Sequence, residues 1–185
     1  MNEIKISLPL TDDTISSLRC GDRVLISGTI YTGRDEAHLY LSRMLENNEP
    51  LPMDIKGAVI YYVGPCPAKP GQAIGSAGPT TSGRMDKYSP MLISIGLKGM
   101  IGKGPRSAAV IEAMKKYNCV YFAATGGVGA LLSESIKEAE VIAFPELGAE
   151  AIYKLAVEDF PCTVAIDCLG NSIYLEGRAK YEVKH

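Results

Sequence analysis

From Glu3 to Pro9 apolar and polar side chains alternate, the period of a strand with one buried face. Thr11-Asp12-Asp13-Thr14 then offers a capping hydroxyl and acidic first-turn residues, which predict a short helix. Arg23 to Tyr31 (RVLISGTIY) is rich in β-branched residues and predicts a second strand. It runs through Thr32-Gly33-Arg34-Asp35 into a helical stretch ending near Glu46, with Asp35 placed to cap it. Gly57 to Val63 (GAVIYYV) has the unbroken apolar character of a buried strand.

Beyond Ser89-Pro90, a cap followed by proline at the first helical position, a helix is predicted to about Gly96. Gly99 to Gly102 is strand-like, and Gly102-Lys103-Gly104-Pro105 opens a helix with Val110, Ile111, Met114 and Tyr117 at helical spacing. Cys119 to Ala124 predicts a strand, and the turn from Thr125 to Gly129 a short helix after it. Val141 to Phe144, a helix from about Gly148 to Glu158, a strand from Cys162 to Ile166 and an edge strand from Ser172 to Leu175 complete the pattern. Alternating helices and strands in the second half imply a sheet that is mostly parallel there, under covering helices. The expectation is one α/β domain, residues 1–185, with a mixed, partly parallel sheet and its loops and helix starts gathered near one end.

One stretch breaks the periodicity. Gly64 to Arg84 reads GPCPAKPGQAIGSAGPTTSGR, and nine of its 21 residues are Gly or Pro. Such a long loop within a compact domain is usually functional or disordered, and its small residues let a backbone approach a ligand closely.

Composition narrows the possibilities. The 185 residues are 46% hydrophobic and 22% charged, enough for a core without disulfide staples. A net charge of −2 argues against a nucleic-acid partner. No apolar run of about 18 residues indicates a membrane span, and the first six residues lack the apolar centre of a signal peptide. The five cysteines, Cys20, Cys66, Cys119, Cys162 and Cys168, are odd in number and irregularly spaced, with no C-x-x-C pair. They point to reduced thiols in a cytoplasmic setting and to no complete metal or cluster site on this chain.

Several residues are candidates for chemistry. Lys103 lies between two glycines before a helix start, where free N–H groups and the helix dipole favour an anion; a solvated loop lysine is the plain alternative. Arg84 closes the long loop beside the hydroxyls of Thr80, Thr81 and Ser82 and suits bidentate carboxylate binding, or it forms a surface pair with Asp86. Arg34 sits at a strand-to-helix junction, as a structural or an anion-binding group. His38, one turn on, suits a partly buried, hydrogen-bonded side chain better than a base. Gly126-Gly127-Val128-Gly129 matches neither nucleotide fingerprint and is most simply a tight connection. Three cations beside glycine-rich backbone suit a small di-anion, and the residues alone name no reaction.

Larger motifs carry a resemblance. SGTIYTGRDEAH (Ser27 to His38), GPTTSGRMD (Gly78 to Asp86), KGMIGKG (Lys98 to Gly104), GGVGALL (Gly126 to Leu132) and GAEAIYKL (Gly148 to Leu155) resemble, in the same order, signatures of the C-terminal domain of class I fumarate hydratases, a family that includes L(+)-tartrate dehydratase β subunits. The resemblance spans about residues 20 to 175. It implies a swivelling β/β/α domain and a [4Fe–4S] hydro-lyase whose cluster is ligated by cysteines of another domain or an α subunit, so that no metal ligand is expected here. It implies reversible hydration of fumarate to (S)-malate, or dehydration of tartrate to oxaloacetate. Thr80 matches the family's catalytic base, with Thr81 as its rival, and Arg34, Arg84 and Lys103 match substrate-binding cations. An α subunit and a higher oligomer such as α2β2 are implied as partners. A reading of another class remains open, that of a non-catalytic small-anion binding module.

Overall fold

The computed structural model describes residues 3–124 and 129–175. Among these, β1 (Ile4–Ser7), β2 (Arg23–Thr32), β3 (Val59–Tyr61), β4 (Gly99–Gly102), β5 (Val120–Ala123), β6 (Ile136–Ala143) and β7 (Ile152–Ile166) form one sheet in the order β1-β2-β3-β4-β5-β7-β6. β1 to β5 pair in parallel, whereas β7 pairs antiparallel with β5, β6 and β2. Because β7 bonds both β5 and β2, the strands β2, β3, β4, β5 and β7 close into a ring. The fold is therefore α/β with a mixed, partly parallel sheet, as the patterning predicts.

The ring explains the unbroken apolar run at β3. Val59, Tyr61, Ile101, Val120 and Phe122 face an inner cluster with Ile26, Ile30, Leu155 and Phe160. Ile60, Tyr62, Met100 and Tyr121 face an outer cluster beneath helices α2 (Asp35–Glu46), α3 (Ser89–Ser94) and α4 (Ala108–Tyr117). Strand side chains alternate between faces, so a strand covered on both sides must be apolar throughout. Helix α1 (Asp12–Ser17), capped by the Thr11 hydroxyl on Thr14 N, contributes Ile15 to the inner cluster. It lies at the amino ends of β4 and β5, where Lys98 Nζ bonds Asp12 at 2.7 Å. Ile74 and Ala77 of the long loop contribute to the same cluster, as does Leu132 of the short helix α5 (Gly129–Glu134).

Five local expectations need correction. The helix expected to open at Gly102 to Pro105 starts at Ala108 with Ser107 as its N-cap, so Lys103 does not sit at a helix start. The predicted helix from Gly148 to Glu158 is instead a 3₁₀ turn, Pro145–Glu150, followed by the long strand β7. Ile152 and Leu155 mimic helical spacing, but they belong to the outer and inner clusters respectively. An odd separation puts strand residues on opposite faces, and here both faces are buried. The edge strand from Ser172 to Leu175 reduces to one bridge, Ile166 to Ser172, after which Leu175 N turns back to Ser172 O. The junction residues Arg34 and Tyr88, not Asp35 and Ser89, occupy the N-cap positions of α2 and α3, and neither makes a side-chain capping bond. The last two strands run antiparallel, so the second half is less parallel than its helix–strand alternation implies. The turn from Thr125 to Val128 lies outside the described residues.

Candidate active site

Parallel strands deliver their carboxyl ends, and the loops after them, to one side of a sheet, the usual place for a ligand in an α/β fold. Here those ends are Thr32, Tyr61, Gly102 and Ala123. The long loop returns across them. Val63 bridges Pro79, and Thr80 N donates to Tyr62 O at 2.8 Å. Thr81 then bridges Lys103 in parallel fashion, and Ser82 N donates to Lys103 O at 3.0 Å. Thr80 and Thr81 thus lie on a short extended segment between the exits of β3 and β4. Thr80 is half-buried, whereas Thr81 and Lys103 are exposed.

Close approach of this segment to β4 requires a glycine. A Cβ at Gly102 would lie 1.9 Å from Ser82 Oγ. That hydroxyl meets Tyr121 Oη at 2.9 Å, and Tyr121 Oη donates to Gly104 O, also at 2.9 Å. A hydroxyl buried without such partners would cost about 1–3 kcal/mol, so the pair stabilises one placement of the loop.

Arg34 enters the same rim from β2. Gly33 N donates to Tyr61 O at 3.1 Å, which places Arg34 beside the exit of β3. Its guanidinium lies against Gly64, where a Cβ would come within 2.6 Å of Nη1, and Nη2 is 3.3 Å from Glu150. Arg84, in the 3₁₀ turn Ser82–Met85, reaches Asp35 at 3.7 Å and not Asp86. Arg34, Thr80, Thr81, Lys103 and Arg84 are therefore all brought to one end of the ring. The guanidinium of Arg34 is turned toward Glu150 and that of Arg84 toward Asp35.

Asp86 is taken instead by Arg106, which the sequence does not flag. Arg106 Nε donates to Asp86 at 2.6 Å and Nη2 to Ser89 Oγ at 2.7 Å, and the guanidinium lies 5.2 Å and 5.0 Å from the rings of Tyr62 and Tyr121. Burial alone disfavours its charge, but Tyr62 and Asp86 outweigh burial and hold Arg106 above its usual range. The other Asp86 oxygen accepts from Ser107 N at 2.6 Å. One buried ion pair thereby ties the Thr80–Arg84 segment to the segment after Lys103. In the sequence, Pro105-Arg106-Ser107 looks like polar loop, and nothing local signals burial.

His38 is fully buried. Its Nδ1 lies 2.8 Å from the Arg34 carbonyl, and its ring packs near Tyr62 and Tyr88. Burial pushes it down to about 4, so near neutral pH it is an uncharged imidazole with Nδ1–H donating to Arg34. It supports the junction and is not placed as a base.

The described residues do not fit an iron–sulfur cluster. No three His, Cys, Asp or Glu among them lie together as a metal site needs. Cys119 and Cys162 are buried, and burial pushes the Cys119 thiol up to about 12, unfavourable for a thiolate ligand. Among the described residues no helix is long and apolar enough to cross a membrane.

Comparison with known proteins gives the family. The sequence profile described as Fumarase C-terminus matches residues 1–177. The chain belongs to this family. It is 44% identical over 162 residues to the aerobic class I fumarate hydratase of Escherichia coli K12, covering 86% of this chain and 30% of that protein. It is 41% identical over 174 residues to fumarate hydratase 2 of Leishmania major, covering 93% and 31%. It is also 41% identical over 177 residues to a putative L(+)-tartrate dehydratase β subunit of Methanocaldococcus jannaschii, covering 92% and 91%. The chain thus spans about a third of the fumarate hydratases it matches and nearly all of the β subunit.

Proposed function

We propose that this member of the fumarase C-terminus family is the β subunit of a hydro-lyase that interconverts fumarate and (S)-malate, with an α subunit as partner. The observation that carries the reading is the Thr80–Thr81 segment, held between the exits of β3 and β4 with Arg34, Lys103 and Arg84 on the same rim. The three cations suit the two carboxylates of the substrate. A C–H beside a carboxylate is a poor acid, and negative charge builds on that carboxylate as the proton leaves. Preorganised cations stabilise this charge. Thr80 is assigned to take the C3 proton of malate and to return it during hydration. A threonine hydroxyl is a weak base and needs a partner to accept its own proton. We assign that partner, and the [4Fe–4S] cluster, to the α subunit, because the residues described here supply neither.

One observation favours a second substrate. The relative matched over nearly its full length is named for L(+)-tartrate. Tartrate differs from malate by one hydroxyl, so the choice rests on one or two hydrogen-bonding groups.

The test is anaerobic co-production with the candidate α subunit, followed by turnover of fumarate and of tartrate. Fumarate consumption that requires both chains supports the reading, and Thr80→Ala should then lower kcat by about 10²–10⁴-fold with the complex intact. Activity confined to tartrate changes the substrate. No activity on either, in a well-formed complex with its cluster, rejects both substrates and leaves another hydroxy-diacid or an anion-binding module, and full activity of Thr80→Ala removes Thr80 from the mechanism.

A further inference from the structure

Arg34 is held by a residue from the far end of the chain. The 3₁₀ turn Pro145–Glu150 folds onto the junction between β2 and α2, with positive φ at Phe144, its N-cap, and at Gly148, where it kinks. Three contacts dock it. Thr32 Oγ1 donates to Ala151 O at 3.2 Å and accepts from Tyr153 N at 2.9 Å. The rings of Tyr40 and Phe144 pack with centroids 4.8 Å apart. The Glu150 carboxylate spans the junction itself, one oxygen 3.3 Å from Arg34 Nη2 and the other accepting from Glu36 N at 3.2 Å. That N–H belongs to the first turn of α2, where the helix leaves donors without an internal partner. On its other side Arg34 is confined by Gly64, whose missing Cβ makes room for Nη1. Its Nε is buried with no partner among the described residues.

We propose that Glu150 is a positioning residue for Arg34. The proposal rests on the reading that Arg34 binds a substrate carboxylate. A guanidinium carries five N–H donors, and Glu150 engages only the Nη2 end of the fork. Nε is buried, so a second carboxylate would have to use the remaining Nη donors. The Arg34 and Glu150 side chains are each about one-quarter exposed (25% and 24%), so solvent screens their pairing only in part. An arginine already fixed in place loses less rotamer freedom when substrate arrives, which lowers the cost of binding. Its contribution therefore belongs to substrate affinity more than to the chemical step.

The test uses the reconstituted complex and the full chain by itself. In the complex, Glu150→Ala should raise KM roughly tenfold, with kcat changed less than about threefold, the effect of freeing one long side chain. Glu150→Gln keeps an acceptor oxygen and should recover most of that loss. In the full chain, nitrogen-15 spectra of arginine side chains, with Arg34→Lys to assign the signal, should show a sharp Arg34 Nε–H resonance that broadens or exchanges faster in Glu150→Ala. An unchanged KM in Glu150→Ala, or a collapse of kcat with KM unchanged, overturns the proposal. So does an Arg34 signal indifferent to Glu150→Ala. If the wild-type complex turns over no dicarboxylate, the functional reading fails by itself. The spectrum then decides whether Glu150 holds Arg34.

Discussion

The inner and outer faces of β3, β4 and β5 are equally dry and differently furnished. Inside the ring, Val59, Ile101, Val120 and Phe122 pack among other apolar residues, and Tyr61 places its hydroxyl on the Ala77 carbonyl. Outside, beneath the helices, Tyr62 and Tyr121 flank the buried Arg106, which binds Asp86 and Ser89. The inner face closes the ring by apolar burial, which is non-directional. The outer face uses hydrogen bonds and one ion pair, whose directions fix where the Thr80–Arg84 segment lies against Lys103. Stability and site geometry are thus carried largely by opposite sides of the same strands.

Substitutions on the two faces should separate these roles. Phe122→Ala, on the inner face, should cost about 3–5 kcal/mol, read as a lower urea midpoint, with KM of the surviving complex unchanged. Arg106→Met, on the outer face, should cost about 3 kcal/mol, because Asp86 is left as an uncompensated charge, and should raise KM as well. Lost stability with an unchanged KM would reduce the outer network to scaffolding. His38 supplies a pH dependence. Its folded value, about 4, lies below the usual histidine value of 6.5, so the unfolded chain binds more protons between those values. The stability it contributes is present above pH 6.5 and is lost as pH falls toward 4, about 2 kcal/mol of it by pH 5. Acid unfolding of His38→Gln should lack this limb, and an identical pH slope would show that another group produces it. Arg84→Ala should have the smallest effect on stability, less than about 1 kcal/mol, because its pairing with Asp35 is exposed. On the proposed function the same change should still raise KM, which separates a site residue from a structural one.

The sequence was most legible where local pattern and tertiary role coincide. β2, β3, β5 and helix α4 follow from β-branched runs and from helical spacing, and their burial in the structure matches that spacing. The candidate rim was legible for a related reason. A long Gly- and Pro-rich loop ending in hydroxyls and Arg84 cannot pack as a regular element, and it returns over the strand ends. β7 was misread because Ile152 and Leu155 keep helical spacing although they lie in different clusters, and because its inward positions change parity from Leu155 and Val157 to Phe160, Cys162 and Val164. Glu150 was hidden by the same error. Arg106 and Asp86 were hidden by distance, since each looks like a solvated side chain until the loop folds back and brings them together.

By itself, the amino-acid sequence determined the strand and helix content of most of the chain, the position of the long loop, and the motifs that place it in its family. These depend on residues close together in the chain, or on ordered motifs that need no three-dimensional context. Only the tertiary structure decided that the sheet closes through β7, that the Thr80–Thr81 segment pairs between β3 and β4, and which carboxylate each arginine meets. Arg34 meets Glu150, 116 residues further along the chain (150 − 34), and charges so far apart carry no local signal of their pairing. They come together because closing the ring brings the turn before β7 onto the end of β2.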